Sequence, residues 1–210
     1  MLAIMQRIQT INACFKIVVV CAVALSAYSA QAEVTTGIDA DAGLPYWELR
    51  EAGLSIRLVQ RHPDQTRAFF LARGFSREDV ELIAQSCVFQ TIVRNTAPVT
   101  SSDTLEYDLT AWRVQVAGAS QAMQNRESWA QIWAAREIAK PARIAFEWAL
   151  LPTRQRYNPG DYNWGMSVFG LRPDSHFDLA LSWSRSGKPY SAVIREIHCA
   201  ADVPPKEEAQ

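Results

Sequence analysis

The sequence has no excess of positive charge and none of the short motifs that mark common metal and haem sites. Lysine and arginine total 21 against 22 aspartate and glutamate, and the basic residues form no cluster. A polyanion-binding surface needs Lys and Arg gathered on one face, so the composition argues against a nucleic-acid partner. The patterns H-E-x-x-H, H-x-H and C-x-x-C-H are also missing. Zinc peptidase and c-type haem interpretations therefore have no support.

Catalytic motifs for covalent chemistry are missing as well. Neither G-x-S-x-G nor S-x-x-K occurs in the chain. Glu147 and Asp178 could in principle act as a carboxylate pair in glycoside hydrolysis. Both alternate with apolar residues, a pattern more typical of a solvated sheet face. We therefore expect a protein that is not an enzyme, and keep an uncharacterised hydrolase as the third interpretation.

Long hydrophobic runs are missing too. Residues 17–28 are apolar, but this run is shorter than the roughly 20 residues that a membrane-spanning helix needs. Arg7 and Lys16 precede it, and residues 30–32 read A-x-A. These features predict a secretory signal peptide over residues 1–32 that is cleaved near Ala32. A periplasmic location follows, with no membrane insertion after signal removal; a retained anchor is the alternative.

Cysteine is scarce: the chain contains four cysteines. Cys14 and Cys21 lie in the predicted signal, which leaves Cys87 and Cys199 in a compartment that permits disulfides. We expect these two to be bonded. The bond would close a loop of about 110 residues and stabilise the fold by roughly 4–5 kcal/mol. A two-thiol metal or redox site is the alternative.

Alternating apolar residues predict several strands. Phe177, Leu179, Leu181 and Trp183 share one phase, and residues 144–150 follow the same period of two. The dipeptide at 186–187, Ser-Gly, is typical of a tight hairpin turn. Further strands are predicted over 53–61, 88–95 and 105–116, with a break in the last one around residues 110–111.

Capping residues predict three short helices. Pro63 suits a first helical turn, and Gly74 suits the position after the last one. Ser76 opens the second helix, and Ser128 with Gln131 opens the third. Pro141 is expected to end that third helix.

These elements predict a mainly β fold. We expect an antiparallel, Greek-key-like sandwich of about seven strands, with the three helices in its crossovers. A partly closed barrel is the alternative. Residues 33–52 are expected to form an irregular N-terminal arm, 53–200 a single β-rich domain and 201–210 a disordered tail.

The segment Asn-Pro-Gly-Asp-Tyr-Asn-Trp-Gly-Met at 158–166 is the most unusual in the chain. It combines strong turn residues with aromatic side chains, and arginines precede it. Trp, Tyr and Arg contribute most of the binding energy at many interfaces. We therefore expect a recognition surface; the alternative is that the aromatic residues fold back over the sheet. The predicted binding residues are Arg61, Arg73, Phe75, Arg154, Arg156, Tyr157, Tyr162 and Trp164.

No cofactor is predicted, but copper is kept as an alternative. Its candidate ligands are His176, His198 and Met166, since copper prefers His with Met. The favoured function is an exported accessory or binding protein of the bacterial envelope without catalytic activity. Its partner would be an envelope protein or a small ligand, and its oligomeric state stays open. The alternative function is periplasmic metal handling.

Overall fold

The computed structural model describes residues 32–203, which form two antiparallel sheets and a layer of helices. The strands are β1 Glu33–Ile38, β2 Pro45–Glu51, β3 Leu54–Gln60, β4 Val88–Asn95, β5 Leu105–Asp108, β6 Arg113–Val116, β7 Ala119–Ala122, β8 Arg154–Tyr157, β9 Tyr162–Val168, β10 His176–Arg185 and β11 Lys188–His198. The helices are α1 Pro63–Leu71, α2 Arg77–Ala84, α3 Arg126–Ala135 and α4 Lys140–Ala149.

The first sheet has the order β1-β2-β3-β4-β9. The second has the order β7-β6-β10-β5-β8, and β11 pairs with the other side of β10. The predicted mainly β, antiparallel sandwich is confirmed, and the sheets form no closed barrel. The described residues contain more strands and one more helix than expected, because several short or edge segments also pair.

The main core lies between the two sheets. The predicted alternation in β10 is confirmed, since Phe177, Leu179, Leu181 and Trp183 are all buried there. Fully burying a side chain such as Leu or Phe contributes about 1.5–3 kcal/mol. The first sheet supplies the facing residues, which include Trp47, Leu49, Ile56, Leu58, Phe89 and Val93.

A second core lies between the helices and the other face of the first sheet. Phe70 of α1, Trp133 of α3 and Phe146 of α4 pack there against Met166 and Val168 of β9. The rings of Trp133 and Phe146 meet edge to face at 5.2 Å. We call this second core the helical core. Strand β9 contributes side chains to it from one face, and the neighbouring strand β4 supplies Phe89 to the main core.

The strand predicted over residues 144–150 is wrong, since these residues form most of helix α4. Pro141 lies in the first turn of this helix instead of ending the previous one, and proline fits that position because its missing N–H has no helical partner. Ala142 and Phe146, four residues apart, face the second core. The apparent period of two came from apolar residues on both sides of the helix, where Ile144 is exposed.

The predicted irregular arm at 33–52 is also wrong, because β1 and β2 form a hairpin there. A tight turn joins them, in which the N–H of Gly43 donates to the carbonyl of Asp39. In contrast, the predicted break near residues 110–111 is present. It is a 3-10 turn, Leu109–Ala111, rather than a bulge, and the Asp108 carboxylate caps it by accepting from the Thr110 N–H.

The C-terminal segment is attached to the helices at Asp202, within the stretch predicted to be disordered. Arg67 of α1 forms ion pairs with Asp202 and with Glu81 of α2, both at 2.7 Å. These hydrogen bonds raise the pKa of Arg67 above its usual range. The prediction of disorder is thus wrong for this part of the tail, and residues 204–210 lie outside the described residues.

The predicted disulfide is confirmed: Cys87 and Cys199 are bonded, with their Cα atoms 5.4 Å apart. Cys87 directly precedes β4 and Cys199 directly follows β11, so the bond joins the two sheets covalently. The predicted signal peptide lies outside the described residues, except for Ala32. Among residues 32–203, no helix has both the length and the apolar character needed to cross a bilayer.

We expect the double variant Cys87→Ser, Cys199→Ser to lose about 4–5 kcal/mol of unfolding free energy by the chain-entropy model. The reason is that the closed loop spans a sequence separation of 112 residues. Urea unfolding measures this loss. The unmodified protein in reductant is the control and should match the variant; a loss below about 1 kcal/mol would contradict the entropic account.

Candidate functional site

One half of the outer face of the first sheet is left uncovered by the helices. The register places two rows of side chains across this half, one residue from each of β2, β3, β4 and β9. We call this surface the open face. Its rows are Glu48, Arg57, Ile92 and Trp164, and Arg50, Ser55, Arg94 and Tyr162.

Exposed aromatic residues dominate the β9 end of the open face. Trp164 is 68% exposed and Tyr162 is 54% exposed. Trp148, near the end of α4, is 82% exposed. It is near the same place in the fold, because Leu150 pairs with Met166, two residues from Trp164. Large aromatic residues usually bury most of their surface, so three exposed ones at one junction are unusual.

The strand predicted over residues 144–150 gave no sign that Trp148 is exposed. A helical period would have revealed it. Ala142 and Phe146 define the buried side of α4, and position 148 is two residues from Phe146, roughly 200° around the helix axis.

The charges on the open face differ in how they are compensated. Glu48 accepts from Arg50 at 2.6 Å and lies 3.5 Å from Arg57, which also binds Asp39 at 2.8 Å. Backbone hydrogen bonds, first from Ala42, together with Arg57 hold the pKa of Asp39 below its usual value. Arg94 instead stacks over the Tyr162 ring at 4.8 Å and has no ion pair within the described residues. Its guanidinium is available to an acidic ligand.

The structure places six of the eight predicted binding residues at three separate locations. Tyr162 and Trp164 lie on the open face. Arg154 and Arg156 lie on β8 of the second sheet, where they pair with Asp108 and Glu106. Arg61 and Arg73 flank the Phe69 ring of α1, at 5.2 and 3.3 Å.

Phe75 and Tyr157 do not belong to a binding surface, because both side chains are buried. Phe75 packs in the helical core, with its ring 5.1 Å from that of Trp133. Tyr157 lies opposite Leu105 in the β5–β8 pair and faces the main core. The sequence placed both residues beside arginines and turns, which gave them the appearance of surface residues.

The candidate copper ligands are only partly brought together. His176 and His198 lie opposite each other on β10 and β11, and their rings stack at 4.2 Å. His198 is also hydrogen-bonded to Asp174 at 2.9 Å. Met166 is elsewhere, buried in the helical core. Between residues 32 and 203 there is no group of three or more His, Cys, Asp or Glu side chains suited to a metal ion.

The two carboxylates considered for hydrolysis have separate surroundings. Glu147 lies on the exposed side of α4. Asp178 sits at the bulge between β10 and β11, where it accepts hydrogen bonds from Arg195 and from the N–H of Glu196. Asp178 therefore has a structural role in closing the bulge.

Comparisons of the chain with protein-family models, curated proteins and solved structures gave no match.

Because the hydroxyl of Tyr157 is buried, the stability of the folded protein should depend on pH in the alkaline range. Burial raises the pKa of Tyr157 to about 12, and the neighbouring Tyr107 side chain offsets part of that rise. The folded protein resists ionisation while the unfolded chain ionises near pH 10, so stability should fall as pH rises from 10 to 12. Over this pH range, we expect the Tyr157→Phe variant to lose about 2–3 kcal/mol less of its unfolding free energy than the original protein does.

Urea unfolding at pH 8, 10 and 11.5 measures this effect. Tyr190→Phe, at a partly exposed tyrosine on β11, is the matched control and should leave the pH dependence unchanged. Equal alkaline profiles for the original protein and Tyr157→Phe would show that this hydroxyl is not buried as described.

Proposed function

We propose that this chain is an exported binding protein of the bacterial envelope, without catalytic activity, that captures a protein partner on the open face. The observation that carries the proposal is the group of exposed aromatic residues, Trp148, Tyr162 and Trp164, beside Arg94, which has no ion pair within residues 32–203. Export is supported by the signal pattern in the sequence and by the bond between Cys87 and Cys199.

Exposed aromatic residues favour a binding role for physical reasons. Leaving a Trp side chain in water forfeits the hydrophobic stabilisation that burial would supply. Contiguous apolar patches on soluble proteins frequently mark interaction sites. Rigid aromatic side chains also lose little conformational entropy on binding, so Trp and Tyr beside Arg form strong anchors.

The edge of β9 supports an extended peptide as the partner segment. This strand ends the order of the first sheet, so one side faces no further strand within the described residues. Met166 and Val168 direct their carbonyls to that side, where they accept from the N–H groups of Leu151 and Gln124. Since backbone groups alternate along a strand, those of Tyr162 and Trp164 point the same way.

An added strand would therefore pair with the first half of β9, where the Leu151 and Gln124 contacts do not reach. Main-chain hydrogen bonds would supply affinity, and side-chain contacts on the open face would supply specificity. We expect the bound segment to place an apolar side chain on Trp164 and an acidic one against Arg94.

Selection of displayed random peptides against the folded protein tests this partner class. We expect an acidic residue next to alternating apolar residues in the selected sequences. Trp164→Ala and Arg94→Gln should each weaken binding of a selected peptide about tenfold or more, the effect of an interface anchor. Trp164→Phe and Arg94→Lys are the matched controls and should retain part of the affinity.

N-methylation of the selected peptide separates strand addition from side-chain contacts alone. Methylating one set of alternate amides should abolish binding, because those N–H groups face β9, and methylating the other set should not. Equal effects at both sets would contradict strand addition. Thermal midpoints of Tyr162→Ala and Trp164→Ala should stay near that of the original protein; a collapse of folding would assign both residues to the core.

Export is tested separately by expressing the full chain in a bacterium with a periplasm. We expect the protein in the periplasmic fraction with an intact mass that begins at Glu33 and no free thiol in the denatured, unreduced protein. A full-length chain retained in the cytoplasm with reactive Cys87 and Cys199 would overturn the proposed location, whatever the peptide experiment shows.

A further inference from the structure

A second possible binding site lies on the helical layer, away from the open face. A groove of about 590 Å³ runs between α3, α4 and the segment 152–154. This volume falls in the range of small-molecule sites. The apolar part of its lining is Ala130 and Trp133 of α3, Ile144 and Phe146 of α4, and Pro152.

The polar part of the lining is mainly cationic. Lys140 and Arg143 lie one turn apart on α4, and neither has an ion pair within residues 32–203. Arg126 of α3 also lines the groove, and Arg154 lies at its end, paired with Asp108 at 2.7 Å. Burial raises the pKa of Asp108, while hydrogen bonds from Thr110 and Arg154 lower it. The net shift of this pKa is downward.

Two carboxylates also line the groove, but their contacts do not neutralise its positive charge. Glu127 accepts a hydrogen bond from the Thr153 hydroxyl at 2.6 Å, so it is engaged with a neutral partner. Glu147 is exposed and lies one turn beyond Arg143 without forming an ion pair of 4 Å or less. The groove therefore offers at least two cationic side chains that no neighbouring carboxylate contacts.

Within the described part of the chain, two polar atoms on the lining residues are buried without hydrogen-bond partners: the Nε of Arg126 and the Nε1 of Trp133. Arg126 uses another nitrogen, Nη2, to bind the carbonyl of Leu150 at 2.5 Å. Both unpartnered atoms are donors, and leaving a buried donor unsatisfied is costly. Because both atoms are buried, the groove presents its charge to a ligand through Lys140 and Arg143, and a ligand that fits these two cations carries a negative charge.

We propose that this groove binds a small amphiphilic anion, an apolar or aromatic body that carries one carboxylate. The body would contact Ala130, Ile144 and Pro152, the apolar lining residues that keep accessible surface, and the carboxylate would lie against Arg143 and Lys140. Charged hydrogen bonds from guanidinium groups to carboxylates are stronger than neutral ones, which sets the preference for an anion. The ligand could be a free aromatic acid or a fatty acid released from lipid.

Calorimetric titration of the purified full-length protein with three probes that share one apolar body tests the charge preference. The probes are phenylbutanoate, phenylbutanol and phenylbutylamine. We expect phenylbutanoate to bind at least about tenfold more tightly than the other two. Equal affinity for all three would overturn the proposal. Decanoate forms the second arm: tighter binding than phenylbutanoate indicates a fatty acid, and weaker binding an aromatic acid.

Variants at exposed positions test the location without disturbing the core. Lys140→Gln with Arg143→Gln should weaken phenylbutanoate binding about tenfold or more, and Ala130→Trp should abolish it by filling the groove. The matched control, Arg77→Gln with Lys188→Gln, removes two exposed cations elsewhere and should bind normally. A similar loss in this control would show non-specific attraction and contradict the site.

Trp164→Ala makes this test independent of the open face. We expect it to leave phenylbutanoate binding unchanged, because residue 164 does not line the groove. Loss of probe binding in Trp164→Ala would place the anion on the open face instead and overturn the groove assignment.

Discussion

The layer of helices meets the sandwich most closely where the chain leaving α4 crosses β9. The N–H of Leu151 donates to the carbonyl of Met166 at 2.9 Å. Leu150 enters the helical core and Leu151 enters the main core, so two consecutive residues connect both. This approach requires Gly165, since a Cβ there would lie 2.7 Å from the Leu151 nitrogen. Any larger residue would force the backbone of Leu150 and Leu151 away from β9.

This crossing also determines where the open face begins. The junction covers the second half of the β9 edge and leaves the first half uncovered, with Tyr162 and Trp164 beside it. The same strand therefore has a rigid half, packed in two cores, and a half that presents aromatic side chains to solvent. Binding surfaces on rigid strands are better preorganised than those on loops, which lowers the ordering entropy of binding.

Sequence patterns predicted features whose physical cause is local. The hairpin at Ser186 and Gly187 is specified by residues that tolerate positive φ, and both adopt it. The disulfide followed from counting cysteines. Helix α4 was missed because its apolar residues occupy both sides, one side on the core and the other exposed as Ile144 and Trp148. Burial of Tyr157 depends on tertiary packing, which no local pattern encodes.

The sequence contains nearly equal numbers of positive and negative residues, but the structure distributes their charges unevenly. Both proposed sites share a feature of this uneven distribution. Many arginines are occupied: Arg67, for example, contacts three carboxylates, and Arg185 contacts Asp103. Some cations without an ion pair among residues 32–203, such as Arg77, lie on ordinary polar surface and need no functional explanation. Arg94 and Arg143 differ because each lies beside accessible apolar side chains. A cation next to an apolar surface binds an amphiphilic acid better than either feature alone, since one ligand satisfies both.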